Sequence, residues 1–303
     1  MNNLTTTLQL LKNGDFKILS RCITMVENDL PGSNEILTSL DFNQKVPIIG
    51  ITGPPGAGKS SLVNALIEEL LLQNKKIGIL AVDPTSPFNL GAILGDRVRM
   101  SEHFNNPNVF IRSIATRGSL GGLSAKIIEI TDVMRHSNFD LIMVETVGVG
   151  QSEIEIVGLA DVTVLVLVPE AGDEIQQLKS GVMEIADVFV INKADRPGAD
   201  IYLKNLFTLL HSSTADKKQA EIVKTIAIKH EGIKQLNDAL IKKMHQNHQN
   251  LKIYLLAEKA YKLIQNERMK NISKLDLKSS IEHAIKSNDF NLYSFVQTYH
   301  QKN

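Results

Sequence analysis

The stretch GPPGAGKS, residues 53–60, lies between an apolar, β-branched run at 46–51 and a segment with the pattern of a helix. In that segment, apolar residues recur at helical spacing from Leu62 to Leu70. A buried strand, a glycine-rich loop and a helix in this order form the context in which the pattern G-x-x-x-x-G-K-[ST] binds phosphate. The stretch therefore predicts a binding site for a nucleoside phosphate.

Each residue type in this loop has a physical role in holding phosphate. The glycines let consecutive backbone N–H groups point at an anion, and the N-terminus of the following helix adds positive partial charge. Lys59 is expected to reach the β- and γ-phosphates, and the Ser60 hydroxyl is expected to ligate Mg²⁺. The predicted nucleotide contacts in the loop are Gly53, Pro55, Gly56, Ala57, Gly58, Lys59, Ser60 and Ser61.

The composition argues against several classes of function. The chain has 303 residues, and its 33 basic side chains equal its 33 acidic ones, so the formal net charge is +0. A balanced charge argues against non-specific binding to nucleic acid or to an anionic membrane. The single cysteine, Cys22, excludes an internal disulfide and any metal site built on a pair of cysteines. Because neither a secretion signal nor a membrane-length apolar run is evident, we predict a cytoplasmic protein.

Carboxylates follow two later strands, at positions where a parallel sheet binds ligands. The apolar run at 76–82 is followed by Asp83, and the run at 139–146 carries Glu145 at its end, the form expected of a Walker B element. Asp96 opens a helix after a turn-rich segment and also suits an N-cap, so Asp83 is preferred as a ligand. Neutralising triphosphate charge requires a metal ion. The predicted Mg²⁺ ligands are Ser60, Asp83, Asp96 and Glu145.

The tetrapeptide NKAD, residues 192–195, directly follows a sixth apolar strand at 187–191. In this N-K-x-D pattern, Asp195 accepts hydrogen bonds from the ring N–H and the exocyclic amine of guanine, a donor pair that adenine lacks. The stem of Lys193 packs on the base, and Asn192 ties this loop to the phosphate loop. A site that hydrogen-bonds those donors rejects an analogue without them by roughly 10⁴-fold or more. The pattern therefore predicts GTP.

The predicted elements together indicate a doubly wound α/β fold with a mainly parallel sheet, the fold of a P-loop NTPase. The seventh strand, at 221–228, would place Ala227 beside the base. Purely helical patterns precede the first strand and follow the last core helix. We therefore predict an N-terminal helical extension (1–45), a P-loop GTPase core (46–247) and a C-terminal helical extension (248–303). The amphipathic helices of the C-terminal extension also suit an oligomer interface.

Six blocks of sequence, including the phosphate loop and NKAD, occur together in this chain. They are GPPGAGKSS (53–61), VDPTSPFNLGAILGDRVRM (82–100), IRSIATRGSLGGLS (111–124), ETVGVGQSE (145–153), PEAGDEIQQLK (169–179) and NKAD (192–195). As a set they closely resemble the MeaB/ArgK family, the chaperone GTPases of cobalamin-dependent methylmalonyl-CoA mutase. SRCITMVEND (20–29) resembles that family's leading helix, so the resemblance spans most of the chain. Members were long labelled transport-system kinases or ATPases, a label that the guanine-type NKAD contradicts.

The resemblance implies a homodimeric GTPase that binds GTP or GDP with Mg²⁺ and docks on the mutase. It would gate adenosylcobalamin loading or protect the mutase from inactivation, and the mutase's adenosyltransferase would be a further partner. The implied switch segments are 83–96, 145–153 and 172–179. Lys179 has an implied role in partner-stimulated hydrolysis, so the predicted catalytic residues are Lys59, Glu145 and Lys179. Turnover is expected to be slow without the partner.

Three other functions remain open on the residues alone. A metallochaperone GTPase for a nickel or cobalt enzyme would need clustered cysteines or histidines, whereas the histidines here are dispersed along the sequence. A small-molecule kinase would need a substrate hydroxyl site and a catalytic base, which no motif marks. A nucleotide switch with negligible turnover is partly compatible with the family. No cobalamin-binding D-x-H-x-x-G occurs, so that cofactor would belong to the partner.

Overall fold

A single parallel sheet organises the molecule. The computed structural model describes residues 4–41, 46–83, 100–115, 126–146, 156, 158–170, 186–212, 221–245, 249–269, 272–286 and 290–302. The strands in this part of the chain are β1 (Ile48–Thr52), β2 (Ile77–Asp83), β3 (Val109–Ala115), β4 (Leu141–Glu145), β5 (Val162–Leu167), β6 (Val188–Ile191) and β7 (Glu221–Lys224). They lie in the order β3-β2-β4-β1-β5-β6-β7, and neighbours pair in parallel. The predicted doubly wound α/β fold is confirmed.

The central strands are apolar because helices cover both faces of the sheet. Every residue of β1, β4, β5 and β6 is buried, as expected for parallel strands. Ile51 of β1 lies opposite Glu145 of β4 on one side and Val164 of β5 on the other. The chain passes from β1 to β2 in one direction and later continues through β5 to β7 in the other. β1 therefore ends where the strand order reverses, which is the place where open α/β sheets bind ligands.

Ten helices flank the strands or follow them in the described residues. They are α1 (Leu4–Lys12), α2 (Phe16–Glu27), α3 (Ser33–Thr38), α4 (Lys59–Leu72), α5 (Ile127–Arg135), α6 (Ala199–Ser212), α7 (Ile233–Met244), α8 (Gln249–Met269), α9 (Lys274–Ala284) and α10 (Leu292–Lys302). Short 3₁₀ turns occur at Ser101–His103 and Ala227–Lys229. The apolar side chains of α4 and α7 share one buried cluster with β1, β4 and β5. This core holds the strand and the helix on either side of the glycine-rich loop.

The N-terminal extension packs through α2. Asp15 caps this helix, because its Oδ1 accepts hydrogen bonds from the backbone N–H groups of Lys17 (2.9 Å) and Ile18 (3.0 Å). The buried face of α2 consists of Leu19, Cys22, Ile23 and Val26. Burial raises the pKa of the Cys22 thiol. Cys22 is therefore a small buried hydrophobe, as its place on the apolar face predicts.

Arg112 on β3 joins α2 to the sheet. Its Nη2 donates hydrogen bonds to Glu27 Oε2 (2.8 Å) and to Thr24 Oγ1 (3.2 Å), both on α2. The Glu27 side chain is only 10% exposed. A charged pair this well shielded from water holds the helix against β3, one of the two edge strands of the sheet.

The chain divides into two compact units, Met1–Gln249 and Asn250–Asn303. The first unit contains the sheet and its helices. The second unit is helical, and α9 has no buried residue. Several large apolar side chains of this unit are exposed, with Leu275 at 78% and Tyr293 at 81%. None of the helices in the described residues is long and apolar enough to cross a membrane.

The last strand is shorter than the sequence predicts. The run at 221–228 suggests one continuous strand, but β7 ends at Lys224. The chain then bends, because the Thr225 hydroxyl and the Ala227 backbone N–H both donate to Asn192 Oδ1. These hydrogen bonds end the strand at Lys224, although the sequence pattern of a strand continues to residue 228. It brings a backbone segment toward the loop that follows β6.

Candidate nucleotide-binding site

Two glycines in the loop between β1 and α4 combine a positive φ with close packing that leaves no room for a side chain. Gly53 has a φ of 144° and Gly58 a φ of 84°, conformations that side chains with a Cβ rarely adopt. A Cβ at Gly53 would lie 2.2 Å from the Val166 oxygen, and a Cβ at Gly58 would lie 2.5 Å from Asn192 Nδ2. The glycine pattern is thus explained both by backbone conformation and by close packing against β5 and the NKAD loop.

The middle of the loop is open to solvent, whereas its end is buried. Pro55 and Gly56 are exposed, and Ala57 is fully buried in the core. Ser61 lies half-buried in the first turn of α4, a turn that contains no acidic side chain. The N-terminal N–H groups of α4 and its positive partial charge therefore lie beside an accessible loop. Such a helix start is suited to an anion.

Lys59 places a buried ammonium group within the loop. Its Nζ donates hydrogen bonds to the backbone oxygens of Gly53 (2.9 Å) and Pro54 (3.1 Å). The residue is 7% exposed, and a buried ammonium needs such acceptors because it has left water. The Lys59 ammonium therefore places a positive charge beside the backbone of Gly53 and Pro54. A phosphate group would complement this charge.

Ser60 and Glu145 meet at the ends of neighbouring elements. The Ser60 Oγ donates a 2.7 Å hydrogen bond to Glu145 Oε1, and both residues are 4% exposed. Ser60 is in the first turn of α4, while Glu145 is the last residue of β4. A hydroxyl and a carboxylate in this arrangement provide two hard oxygen donors, the kind that Mg²⁺ prefers.

Asn192 connects three backbone segments through one side chain. Its Nδ2 donates to the Ala57 oxygen at 2.9 Å. Its Oδ1 accepts from Thr225 Oγ1 (3.1 Å) and from the Ala227 backbone N–H (3.2 Å). Asn192 is 2% exposed. The NKAD loop, the phosphate loop and the bend after β7 are therefore brought together, and the predicted residues of all three loops lie at one edge of the sheet.

Lys193 and Asp195 lie at the accessible side of this junction. The Lys193 backbone has a φ of 56°, and its Nζ donates to the Gly56 oxygen at 2.7 Å. A residue other than glycine in this conformation costs backbone energy and often marks a functional site. The Asp195 side chain is 39% exposed and lies 3.4 Å from Lys229 Nζ. The carboxylate of Asp195 is thus accessible to a ligand.

Two residues near the site were not among those that the motifs predicted. Lys229 pairs with Asp195, and no pattern marks it because its position depends on the bend after β7. Glu170 is bound by Arg196, whose guanidinium lowers the pKa of the Glu170 carboxyl. That ion pair links the turn after β5 to the residue that directly follows NKAD. In the sequence, the only sign of this ion pair is that an acidic residue follows β5 and a basic residue follows NKAD.

The structure leaves several predicted residues without a described side chain. The Asp83 backbone ends β2 opposite Ala115, but its side chain lies outside the described part of the structure. Asp96 and Lys179 also lie outside the described residues, as do most positions of the three predicted switch segments. Their proposed roles therefore rest on the sequence alone.

Two histidines that are far apart in the sequence lie close to the same carboxylate. His230 Nε2 is 3.6 Å from Glu68 Oε2, and a ring nitrogen of His103 lies within 4.8 Å of a Glu68 oxygen. The two histidines are dispersed along the sequence, yet both approach Glu68 in the folded chain. The reason is that α4 carries Glu68 between two turns, at Ser101–His103 and Ala227–Lys229, that the sequence does not relate to each other.

The comparisons with known proteins agree with the site. The profile of the family described as methylmalonyl Co-A mutase-associated GTPase MeaB matches residues 19–283. A Pyrococcus abyssi protein named provisionally as a GTPase is 43% identical over 288 residues, 93% of this chain and 88% of that protein. GTPase ArgK of Escherichia coli is 36% identical over 198 residues, 63% of this chain and 60% of that protein. The fused isobutyryl-CoA mutase of Geobacillus kaustophilus is 38% identical over 207 residues, 65% of this chain and 19% of that protein.

A solved structure shares the fold over almost the whole chain. The crystal structure of a LAO/AO transport system kinase superposes with a TM-score of 0.67 and 24% identity, covering 98% of this chain and 96% of that one. At this identity the likeness shows the fold alone. The family profile, in contrast, spans most of the sequence and includes both nucleotide motifs. The chain therefore belongs to the methylmalonyl Co-A mutase-associated GTPase MeaB family.

Proposed function

We propose that this chain binds GTP with Mg²⁺ at the site described above, hydrolyses it to GDP and phosphate, and thereby controls a cobalamin-dependent acyl-CoA mutase. The observation that carries the nucleotide part is the Asn192 side chain, which joins the phosphate loop to the NKAD loop. A mononucleotide that spans the two loops would contact both at once. Family membership supports guanine nucleotide binding and hydrolysis in general.

Guanine would be selected at the accessible end of the site. The Asp195 carboxylate would accept from the ring N–H and the exocyclic amine, and the Lys193 stem would lie along the base. Lys229, 3.4 Å from Asp195, would help to orient this carboxylate. The Ala227 backbone would lie beside the base because Asn192 fixes its N–H. Adenine has no donor pair for Asp195, so ATP would leave this acceptor unpaired.

The other end of the site would hold the phosphates. The Lys59 ammonium would move from the Gly53 and Pro54 oxygens to the β- and γ-phosphates, where it offsets negative charge as the phosphoryl group departs. The loop N–H groups and the start of α4 would add further donors. Lys179 is the proposed residue for partner-stimulated hydrolysis, and turnover would be slow without the partner.

The donors at Ser60 and Glu145 fit Mg²⁺. Their side-chain oxygens lie 2.7 Å apart in a buried position, and Mg²⁺ takes hydroxyl, carboxylate and water oxygens in octahedral geometry. Ser60 would bind the ion directly, and Glu145 would bind it directly or through water. Asp83 and Asp96 are the further proposed ligands. When bound, the ion would neutralise phosphate charge.

The proposed partner is a methylmalonyl-CoA mutase or a related acyl-CoA mutase, with its adenosyltransferase as a further candidate. The family description associates these GTPases with methylmalonyl-CoA mutase. In Geobacillus kaustophilus, a segment similar to this chain is part of a protein named fused isobutyryl-CoA mutase. A similar segment within a mutase chain supports the proposal that this chain docks on a separate mutase. The proposed effect is to gate cofactor loading or to protect the mutase.

The C-terminal unit is proposed to form a homodimer. Its exposed apolar side chains include Leu275 and Tyr293, and exposed groups of such residues are typical of interaction surfaces. The full-length Leu275→Glu/Tyr293→Glu variant is expected to elute as a monomer in size-exclusion chromatography with light scattering. Wild type is expected to be dimeric, and a monomeric wild type would contradict the proposal.

The mutase proposal is tested by GTP hydrolysis of the purified chain while purified methylmalonyl-CoA mutase is titrated in. We expect saturable stimulation with GTP and none with ATP. GTP turnover that is indifferent to the mutase would leave the nucleotide proposal standing and overturn the partner. A nickel- or cobalt-enzyme maturation assay would then test the metallochaperone alternative.

A further inference from the structure

A cluster of potential metal ligands lies on the side of α4 away from its N-terminus. Glu68, Glu102 and His103 each offer one ligand atom, and these atoms all lie within 4.8 Å of one another. Glu68 is on α4, eight residues after Ser60, which corresponds to about 12 Å along the helix axis. Glu102 and His103 belong to the 3₁₀ turn before β3. The cluster is therefore separate from the Ser60–Glu145 pair.

The imidazole of His103 is buried and faces this cluster. The residue is 6% exposed, and its Nε2 has no hydrogen-bond partner among the described residues. This nitrogen lies 3.8 Å from Glu102 Oε1. A buried polar atom without a partner costs free energy, and a bound ion is one of the few features that account for it in a folded protein.

The neighbouring side chains hold the two carboxylates together. Asn64 Nδ2 donates to Glu68 Oε1 (3.1 Å) and to Glu102 Oε1 (2.8 Å). Two carboxylates that share one donor create a site of negative potential, because each repels the other unless positive charge lies between them. The other oxygen of Glu68, Oε2, lies 3.6 Å from His230 Nε2. A second imidazole is thus within reach of the same carboxylate.

We propose that Glu68, Glu102 and His103 bind a divalent transition-metal ion of the Zn²⁺ type, with water completing the coordination. Imidazole nitrogen together with carboxylate oxygen suits Zn²⁺ and similar first-row ions, whereas Mg²⁺ prefers oxygen ligands alone. Bonds of about 2.0–2.2 Å are required, so the two glutamate side chains would change rotamer when they bind the ion.

The proposed ion would connect two separate parts of the first unit. Glu68 belongs to the helix after the phosphate loop, and Glu102 and His103 belong to the turn before β3. An ion that binds only the folded arrangement stabilises it. We therefore expect Zn²⁺ to raise the thermal unfolding temperature even when no nucleotide is present.

The experiment measures Zn²⁺ binding by isothermal titration calorimetry, with the tag-free full chain freed of metal and without nucleotide. We expect one ion per chain, and we expect Glu68→Gln and Glu102→Gln each to weaken binding at least tenfold. Glu69→Gln is the matched control, because it removes the same charge from α4 outside the cluster and should bind as wild type does. Both glutamates are partly or fully exposed, so these variants test the site without removing the buried His103.

Two results would overturn the proposal. One is the absence of stoichiometric binding to wild type. The other is unchanged affinity in the Glu68→Gln/Glu102→Gln variant, which would mark adventitious binding elsewhere on the chain. Because nucleotide and mutase are absent from the assay, neither result depends on the proposed GTPase function.

Discussion

The side chain of Asn192 donates a 2.9 Å hydrogen bond to the backbone oxygen of Ala57, a residue 135 positions earlier in the chain. The same side chain accepts hydrogen bonds from Thr225 and Ala227. Because Asn192 is 2% exposed, water does not compete for these bonds. A single amide therefore fixes the distance between the loop proposed to hold phosphate and the loops proposed to hold the base.

Replacing Asn192 should loosen this junction. Asn192→Ala removes the hydrogen bonds to Ala57, Thr225 and Ala227, and we expect a loss of about 3 kcal/mol in the free energy of unfolding, at about 1 kcal/mol per bond. Urea unfolding measures this loss. The exposed Asn34→Ala on α3 serves as control and should change stability by less than about 0.5 kcal/mol. Equal stability of the two variants would contradict the proposed junction.

The Lys59→Ala variant should lose measurable GTP binding. Charge-assisted hydrogen bonds to phosphate contribute about 3 kcal/mol, so the dissociation constant should rise by at least about 100-fold. Equilibrium titration with a fluorescent GTP analogue measures the change. Lys75→Ala, in which a 43% exposed lysine is removed, is the control. Unchanged GTP affinity in Lys59→Ala would refute the phosphate-loop assignment.

The contact between Arg112 and Glu27 should hold α2 on β3. Arg112→Ala leaves the Glu27 carboxylate, whose side chain is 10% exposed, without its guanidinium, and we expect a loss of about 2 kcal/mol. Lys75→Ala removes one partner of the exposed Lys75–Asp140 pair and should cost less than about 1 kcal/mol. Urea unfolding compares both variants with wild type. If Arg112→Ala lowers the free energy of unfolding no more than Lys75→Ala does, the shielded pair does not stabilise the fold more than an exposed pair.

His136 should make the stability depend on pH. Burial lowers the pKa of His136, and Lys12 also lowers it, whereas Asp41 raises it in part. The unfolded chain therefore takes up a proton before the folded chain does as the pH falls below about 6.5. The stability contributed by neutral His136 is complete above that pH and is lost as the pH falls through the lowered pKa of the folded state.

The His136→Asn variant tests this pH dependence. The Asn amide oxygen can replace His136 Nδ1, which accepts a 3.3 Å hydrogen bond from the Asp41 backbone N–H. We expect wild type to lose more stability than the variant between pH 7.5 and pH 5.5, as measured by urea unfolding. If the stability of wild type and of the variant changes equally with pH, His136 does not contribute to the pH dependence of stability.

Much of the fold follows from the sequence because apolar runs and loop motifs carry local signals. The run at 187–191 contains β6, and the helical spacing from Leu62 to Leu70 lies within α4. The bend after Lys224 could not be predicted, since it depends on hydrogen bonds to Asn192. The position of Lys229 beside Asp195 could not be predicted either, because Lys229 follows this bend.

The metal-ligand cluster shows more clearly which features cannot be predicted from the sequence. Glu68 belongs to a different segment from Glu102 and His103, and only the packing of α4 brings the three residues together. In contrast, the phosphate loop and NKAD are contiguous stretches, so a few adjacent residues suffice to predict what each one binds. Asp96 and Lys179 remain predictions from the sequence.

Selection of the base tests the central claim most directly. The measurement is equilibrium competition of GTP, ATP and xanthosine triphosphate for wild type and for Asp195→Asn. We predict that wild type prefers GTP over ATP by roughly 10⁴-fold, and that Asp195→Asn prefers xanthosine triphosphate, because the asparagine amide can donate to the oxygen that replaces the guanine amine. Retained preference for GTP in Asp195→Asn would contradict the assignment of the NKAD loop.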